Sequence, residues 1–431
     1  MIPRKGAETL QVISKQLAEG VHLTYLPARK FKTSLLSAQF VTPLRQETVA
    51  ANALLAAVLR RGTVSYPDLG ALSARMDNLY GARVDYTVRK KGETQCVGFV
   101  ASFIDDSFVP GGEKLLEPVA ELVGQLICEP VTHHGRFVPA YFESEKANLI
   151  DAIRSQVNDK RDYADARLLE EMCAGEPYGI SRLGREKDAE RLQPQKLYAQ
   201  YGELISTSCL ELIYCGSASL ERVEAALRQA FSSLPRDGIC ESVPTTAHAA
   251  ATEPRYVEEA MDVTQGKLGM GFSCNGDDVP ALLVGNALFG GSSNSKLFLN
   301  VREKLSLCYF ASSVYHRQKG IITVSSGIEF ENYQKAYDEI MLQLQAVQRG
   351  DLEAWEMDSA RSVLRNAYVS MGDSQGKLEN FYLGQAATGQ DETPEILAEQ
   401  VGAVTVDRVV EAMERVTLDT VYFLKGKGDA Q

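Results

Sequence analysis

Arg302 and Tyr309 are the residues of this 431-residue chain best suited to act together on a reacting group. They stand seven positions apart, the arginine in a helical pattern and the tyrosine at the start of an apolar, β-rich run. A guanidinium fork and a phenolic O–H are both donors, fitted to an oxygen that gains negative charge when a peptide carbonyl is attacked. Spacing alone favours a plainer outcome: Arg302 pairs with a surface carboxylate and Tyr309 packs in a sheet. Just upstream, Gly290, Gly291, Ser292, Ser293 and Asn294 form a glycine–serine loop between Phe289 and Lys296. The loop lacks G-x-x-x-x-G-K-[ST], so it is not a phosphate-binding loop. By its residues it reads as a flexible connection whose last residues cap the next helix.

Metal chemistry finds less support. The five histidines are scattered, and no H-x-x-E-H, H-x-x-H or H-E-x-x-H occurs. His133 and His134 are adjacent, so on a helix their side chains would point to different faces, and a surface loop is the expectation. His22 reads as a strand residue with no second ligand nearby. No metal site is expected in the chain.

These residues depend on the elements around them. Pro280 to Tyr309 reads as a helix, the loop, a second helix and the start of a strand. Shifting the sequence by 228 positions lays Ala53, Leu54 and Leu55 on Ala281, Leu282 and Leu283, Gly62 on Gly290, Ser65 on Ser293 and Leu79 on Leu307. A fixed offset shared by apolar, glycine and serine positions predicts one unit used twice. In the first copy, strands are expected at His22–Tyr25, Leu35–Val41, Val84–Val88, Gln95–Phe103 and Leu210–Cys215. Helices are expected at Thr48–Arg61, Pro67–Tyr80, Leu115–Ile127, Phe142–Val157 and Ala164–Met172, and from Ser217 or Ser219 to Phe231. Glu176 to Leu192 reads as loop and ends near the cap of a further helix. A linker rich in small and turn residues is expected over 235–254, dividing an N-terminal domain at 1–234 from a C-terminal domain at 255–431.

In the second copy, strands are expected at Lys267–Phe272, Cys308–Tyr315, Ile321–Ser326 and Thr420–Phe423. Helices are expected at Val279–Leu288, Lys296–Leu305, Glu331–Gln348, Leu352–Met371 and Val406–Val416. Neither half shows regular βαβα alternation, so the fold class is α+β: two homologous domains, each a mainly antiparallel sheet covered by helices. A net charge of −12 with no basic cluster argues against nucleic acid or anionic membrane as partner. No apolar run is long enough to span a bilayer, and no signal-peptide core precedes the first copy. The eight cysteines include no C-x-x-C pair and read as reduced and structural, which points to the cytoplasm.

The sequence resembles the insulinase/pitrilysin family, whose zinc peptidases carry an inverted H-x-x-E-H motif. The resemblance is to the short two-domain bacterial type, similar to mitochondrial processing peptidase subunits. ALLAAVLRRGT (Ala53 to Thr63) stands where the family has HFLEHMLFKGT. EPYGISRLGREKDAERL (Glu176 to Leu192) and LELIYCGSASLERVEAALRQAFSSLP (Leu210 to Pro235) resemble the remainder of that domain. ALFGGSSNSKLFLNVREKLSLCY resembles the second-domain pattern of a glycine turn, a Ser-x-Leu-Phe helix and an arginine ending in Leu-x-Tyr. The two zinc histidines and the catalytic glutamate then fall on Ala53, Ala57 and Ala56. Glu145 matches the earlier of two helical glutamates, and the third ligand falls on Ala152. Alanine offers zinc no lone pair and water no base.

The resemblance implies a catalytically incomplete chain. Arg302 and Tyr309 would serve as auxiliary catalytic groups in trans, Gly290 to Asn294 would bind extended peptide, and a homologous partner with the intact motif would hold zinc. The alternative is an inactive peptide-binding or scaffold protein of the same fold. Some bacterial relatives without the zinc motif are labelled as associated with elongation factor P modification.

Overall fold

The structure is a computed structural model that describes residues 11–239 and 245–427. Residues 240–244 of the expected linker, with Cys240, lie outside the described residues. The chain forms two compact units. The first comprises residues 1–154, 180–244 and 372–391, and the second comprises 155–179, 245–371 and 392–431.

The first unit is built on a six-stranded sheet. Its order is Ile13–Ala18, Val21–Pro27, Cys209–Gly216, Thr33–Pro43, Thr94–Ile104, Arg83–Lys91. Only Val21–Pro27 with Cys209–Gly216 is a parallel pair. Thr33–Pro43 is buried along most of its length because both of its sheet faces are covered. One face packs against helices that include Val49–Leu59, Leu116–Cys128, Pro194–Thr207 and Leu220–Ala230, whose apolar residues join Leu36, Phe40 and Phe99 in the core. Ser219 caps the last of these by accepting from Arg222 N.

The second unit repeats this order in five strands: Arg255–Met261, Val416–Gly426, Gly266–Cys274, Ile321–Ile328, Cys308–His316. Again one pair, Arg255–Met261 with Val416–Gly426, is parallel. Its core joins Leu268, Met270 and Phe272 to the helices Val279–Phe289, Tyr333–Gln348 and Ala354–Val369. The repeat predicted from the offset is therefore present as a shared sheet order. The first copy carries one further edge strand, Ile13–Ala18.

Each sheet's other face is covered by a helix from the opposite end of the sequence. In the first unit this is Gln375–Thr388. It buries Leu378, Tyr382, Leu383 and Ala387 and adds polar contacts: Gln375 Nε2 donates to Thr33 O and Cys215 O, both at 2.8 Å, and Ser37 Oγ donates to Glu379 at 2.7 Å. In the second unit it is Lys160–Met172, which combines apolar contacts with polar ones, Tyr163 Oη donating to Glu259 at 2.7 Å and Arg161 Nη2 to Ser312 Oγ at 3.0 Å. Leu168 lies over Gly269, and a Cβ on Gly271 would stand 2.5 Å from Met172 Sδ.

Several elements were not expected. They include the edge strands Ile13–Ala18 and Arg255–Met261 and the helices Gln375–Thr388 and Pro394–Gly402. Glu176–Leu192, expected as loop, contains short helical turns at Pro177–Gly179 and Glu186–Glu190. The flanks of the expected linker are anchored. Arg236 donates to Glu19 O, Gly20 O, Ile205 O and Ser208 O, and His248 N donates to Lys319 O. Among the described residues, no helix is long and apolar enough to cross a membrane, and the seven described cysteines are free.

Candidate functional site

The Val49–Leu59 helix carries Ala53, Ala56 and Ala57, three of the four alanines to which the resemblance assigns the zinc ligands and base. All eleven of its residues are buried, so it is apolar around its whole circumference. Ala53, Ala56 and Ala57 present only methyl groups. The neighbouring polar groups satisfy one another as amides rather than converging on an ion. Asn52 Nδ2 donates to Gln95 Oε1 and Gln200 Nε2 donates to Asn52 Oδ1, both at 3.1 Å. Gln95 Nε2 in turn reaches Val49 O and Arg182 O. Glu145, on the Pro139–Ser155 helix, is occupied by Arg61 at 2.8 Å and Asn148 at 3.0 Å. Ala152, two turns further along, is exposed.

Arg302 and Tyr309 are brought together. Both line an open pocket of about 450 Å³ with Glu303, Ser306, Leu307, Cys308 and Glu329. Arg302 lies on Leu297–Lys304, which is a π-helix rather than the α-helix its sequence suggests. Such wide turns are rare and often accompany functional sites. Leu297 and Val301 anchor the helix in the core, and Asn300 Nδ2 donates to Gln343 Oε1 at 2.9 Å. The guanidinium lies 4.7 Å from the Phe298 ring centroid, and its ion pair with Glu303 is loose at 3.6 Å. Ser306, at φ 50°, occupies the left-handed region and turns the chain from the helix into the strand that begins at Cys308. Tyr309 is 72 % exposed, and its hydroxyl has no hydrogen-bond partner among the described residues.

The glycine–serine loop is held in place. Gly290 N and Gly291 N both donate to Asn286 O, and Ser313 N donates to Gly290 O. A Cβ on Gly290 would stand 2.7 Å from Leu297 Cδ1 and 2.8 Å from Ser313 N, so only glycine fits. Ser292 Oγ donates to Ala287 O and Asn294 Nδ2 to Ser359 Oγ, both at 3.0 Å. Ser293 is exposed. Beyond the loop, Lys296 pairs with the buried Glu356 at 3.0 Å.

One constellation escaped the sequence reading, which found no cluster around any histidine. In the second unit His248 lies with Cys173 and Glu176, their donor atoms all within 4.8 Å of one another. His248 Nδ1 is 2.6 Å from Glu176 Oε1 and Nε2 is 3.1 Å from Asp419 Oδ2. Hydrogen bonds to Asp419 and Cys173, with a smaller contribution from Glu176, overcome burial and raise its pKa to about 10. Cys173 and Glu176 are three residues apart, but His248 is distant in sequence, so only the fold unites them. His133 and His134 take positions in a tight, exposed hairpin turn, as expected of a surface loop, and His22 lies in a strand, paired with Glu211 at 2.8 Å.

Two α+β repeats in a sequence without H-x-x-E-H have the architecture of a zinc-peptidase fold without its catalytic zinc motif. Comparison with known proteins agrees. Residues 191–364 match the family model described as the peptidase M16 inactive domain. The chain is 34% identical over 413 residues to the probable inactive metalloprotease YmfF of Bacillus subtilis, covering 94% of this chain and 96% of that protein. A conserved protein from Enterococcus faecalis superposes with a TM-score of 0.88 at 27% identity, covering 97% of this chain and 100% of that one. A protease from Helicobacter pylori shares the fold, with a TM-score of 0.81 at 14% identity over 97% of this chain and 100% of that one. The chain belongs to the insulinase, or M16, peptidase family, as an inactive metalloprotease-like member that lacks the family's catalytic zinc motif.

Proposed function

We propose that this chain is a catalytically inactive peptide-binding protein of the M16 fold, with Arg302 and Tyr309 gripping the carbonyl groups of an extended peptide. The carrying observation is that both donors line one open pocket on a rigid helix-to-strand turn, while the zinc positions hold only methyl groups. Guanidinium and phenol donate but cannot hydrolyse, so binding without turnover is the expected activity. The Cys308–His316 strand ends its sheet beside the pocket, and outside Ser313, whose N–H is taken by Gly290 O, its edge offers backbone groups to an extended chain. The free cysteines support a reducing, cytoplasmic setting.

The test is binding of labelled, unstructured peptides of about twenty residues to the whole chain, read by fluorescence anisotropy. Saturable binding weakened at least tenfold in the Arg302→Ala, Tyr309→Phe double variant, with no cleavage in added zinc, supports the reading. Binding indifferent to that variant overturns the role of the pair.

A second reading makes the chain the non-zinc subunit of a heterodimeric zinc peptidase. It is favoured by the exposed Tyr309 hydroxyl, which a pure scaffold does not require. A partner with intact H-x-x-E-H would supply zinc and base, and this chain the donors to the oxyanion and the loop Gly290–Asn294. Pull-down from the native host tests it. A near-stoichiometric homologue bearing the motif would support it, and recovery of the chain without one would sink it.

A further inference from the structure

We propose that Cys173, Glu176 and His248 form a structural site for a divalent transition metal, zinc by preference, separate from the family's lost catalytic site. Thiolate, carboxylate and imidazole together are the donor set that zinc takes. The three side chains come from two segments of the second unit, Cys173 and Glu176 from 155–179 and His248 from 245–371. Cys173 closes the Lys160–Met172 helix, and Glu176 follows after a turn in which Gly175 has φ +86° and Glu176 N donates to Cys173 O at 3.0 Å. That turn folds both side chains to one side. His248 lies in the segment leading into the second sheet.

The surroundings are those of a metal-binding histidine. Asp419, fully buried on the Val416–Gly426 strand, accepts from His248 Nε2 at 3.1 Å and also from Ala251 N and Thr420 Oγ1. A carboxylate behind the distal ring nitrogen fixes the tautomer and orients the other nitrogen toward a metal. That other nitrogen, Nδ1, faces Glu176 Oε1, while Lys319 holds Glu176 Oε2. The metal would replace the proton between Nδ1 and Oε1. Zinc–ligand bonds of about 2.0–2.3 Å need donors roughly 3.3 Å apart, so the 2.6 Å contact must open slightly. Binding releases two protons to solvent, from Cys173 Sγ and His248 Nδ1, and oxidises nothing. Charge permits it: the Cys173 thiolate, Glu176 and Asp419 face a divalent ion, the Lys319 ammonium and the half-exposed Arg255 guanidinium, 3.6 Å from Asp419. Three protein donors leave one coordination position for a water. The ion would fasten the covering helix to the segment at 245–251 and to the second sheet.

The test uses the full chain, stripped with chelator and titrated with cobalt(II) as a spectroscopic probe. The expected result is a thiolate-to-cobalt charge-transfer band saturating at one equivalent, displaced by zinc. Cys173→Ser should abolish the band, and Asp419→Asn should weaken affinity about tenfold to a hundredfold. No one-equivalent binding, or an unchanged band in Cys173→Ser, would overturn the site. Should the variants fail to fold, hydrogen exchange of the unaltered chain decides. Zinc-dependent protection confined to residues 170–179, 245–251 and 416–420 supports the site, and its absence there refutes it.

Discussion

Arg89 and Glu379, 290 positions apart in the chain, meet in a bidentate salt bridge with both N–O distances at 2.7 Å. Glu379 is 3 % exposed and also accepts from Ser37, so its carboxylate is both desolvated and fully engaged. Removing one partner of such a pair leaves the other buried and uncompensated. Glu379→Ala should therefore destabilise the first unit by about 3 kcal/mol, seen as a lowered midpoint in urea unfolding. Lys91→Ala, which removes an exposed contact to Asn380, should cost under about 1 kcal/mol.

The exchanged helices make the halves of the chain interdependent. A fragment ending at residue 239 lacks Gln375–Thr388 and with it every partner of Ser37, Thr33 and Arg89 on that helix. Amide exchange in strand Thr33–Pro43 of this fragment should be faster than in the whole chain, and adding a peptide spanning 372–391 should slow it. Equal protection with and without the peptide would show that the sheet is complete alone.

Asp105 supplies a pH dependence. Burial acts to raise its pKa, but hydrogen bonds from Ser107, Ser217 and Ser34 prevail and hold it at about 2, below the ordinary 3.8. A carboxyl depressed in the folded state stabilises fully above its unfolded value. That contribution is lost as the pH falls from about 4 toward 2. Asp105→Asn should lower stability at neutral pH and flatten the acid limb of a thermal-melt series over that window. An unchanged slope would mean that Asp105 is not the titrating group.

Restoring the motif should not restore a metal site. Ala53→His and Ala57→His with Ala56→Glu would insert large polar groups into a helix buried on every side, beside an amide network already satisfied. Overpacking and unpartnered polar atoms should cost about 3 kcal/mol or more. The expected result is a lower melting temperature with no zinc binding beyond that of the parent, measured by calorimetric titration.

Legibility in the sequence followed physical regularity. Strands such as Gln95–Phe103 and the wholly apolar Val49–Leu59 helix were plain because burial writes a continuous apolar run. Gln375–Thr388 was missed because Glu379 and Gln385 are buried among Leu378, Tyr382, Leu383 and Ala387 and interrupt the apolar stripe. Arg255–Met261 was missed because an edge strand carries charge, here Glu258 and Glu259, where a central strand carries valine. At the candidate site, motif spacing singled out Arg302 and Tyr309, while the π-helix and the left-handed Ser306 beneath them left no local mark. The Cys173, Glu176 and His248 group depends on tertiary contact and could be seen only in the fold.

The polar underside of the first sheet acquires a meaning during synthesis. Strand Cys209–Gly216 leaves the ribosome long before Thr388, an interval on the order of ten to thirty seconds at cellular elongation rates. Throughout that wait the face later covered by Gln375–Thr388 meets water, and Ser37, Arg89 and Glu211 tolerate it. The second sheet never waits, because Lys160–Met172 is made before it, and its glycine-lined face takes Leu168 and Met172 as it forms. The cover made last thus meets a face that carries polar side chains, and the cover made first meets one lined by glycine.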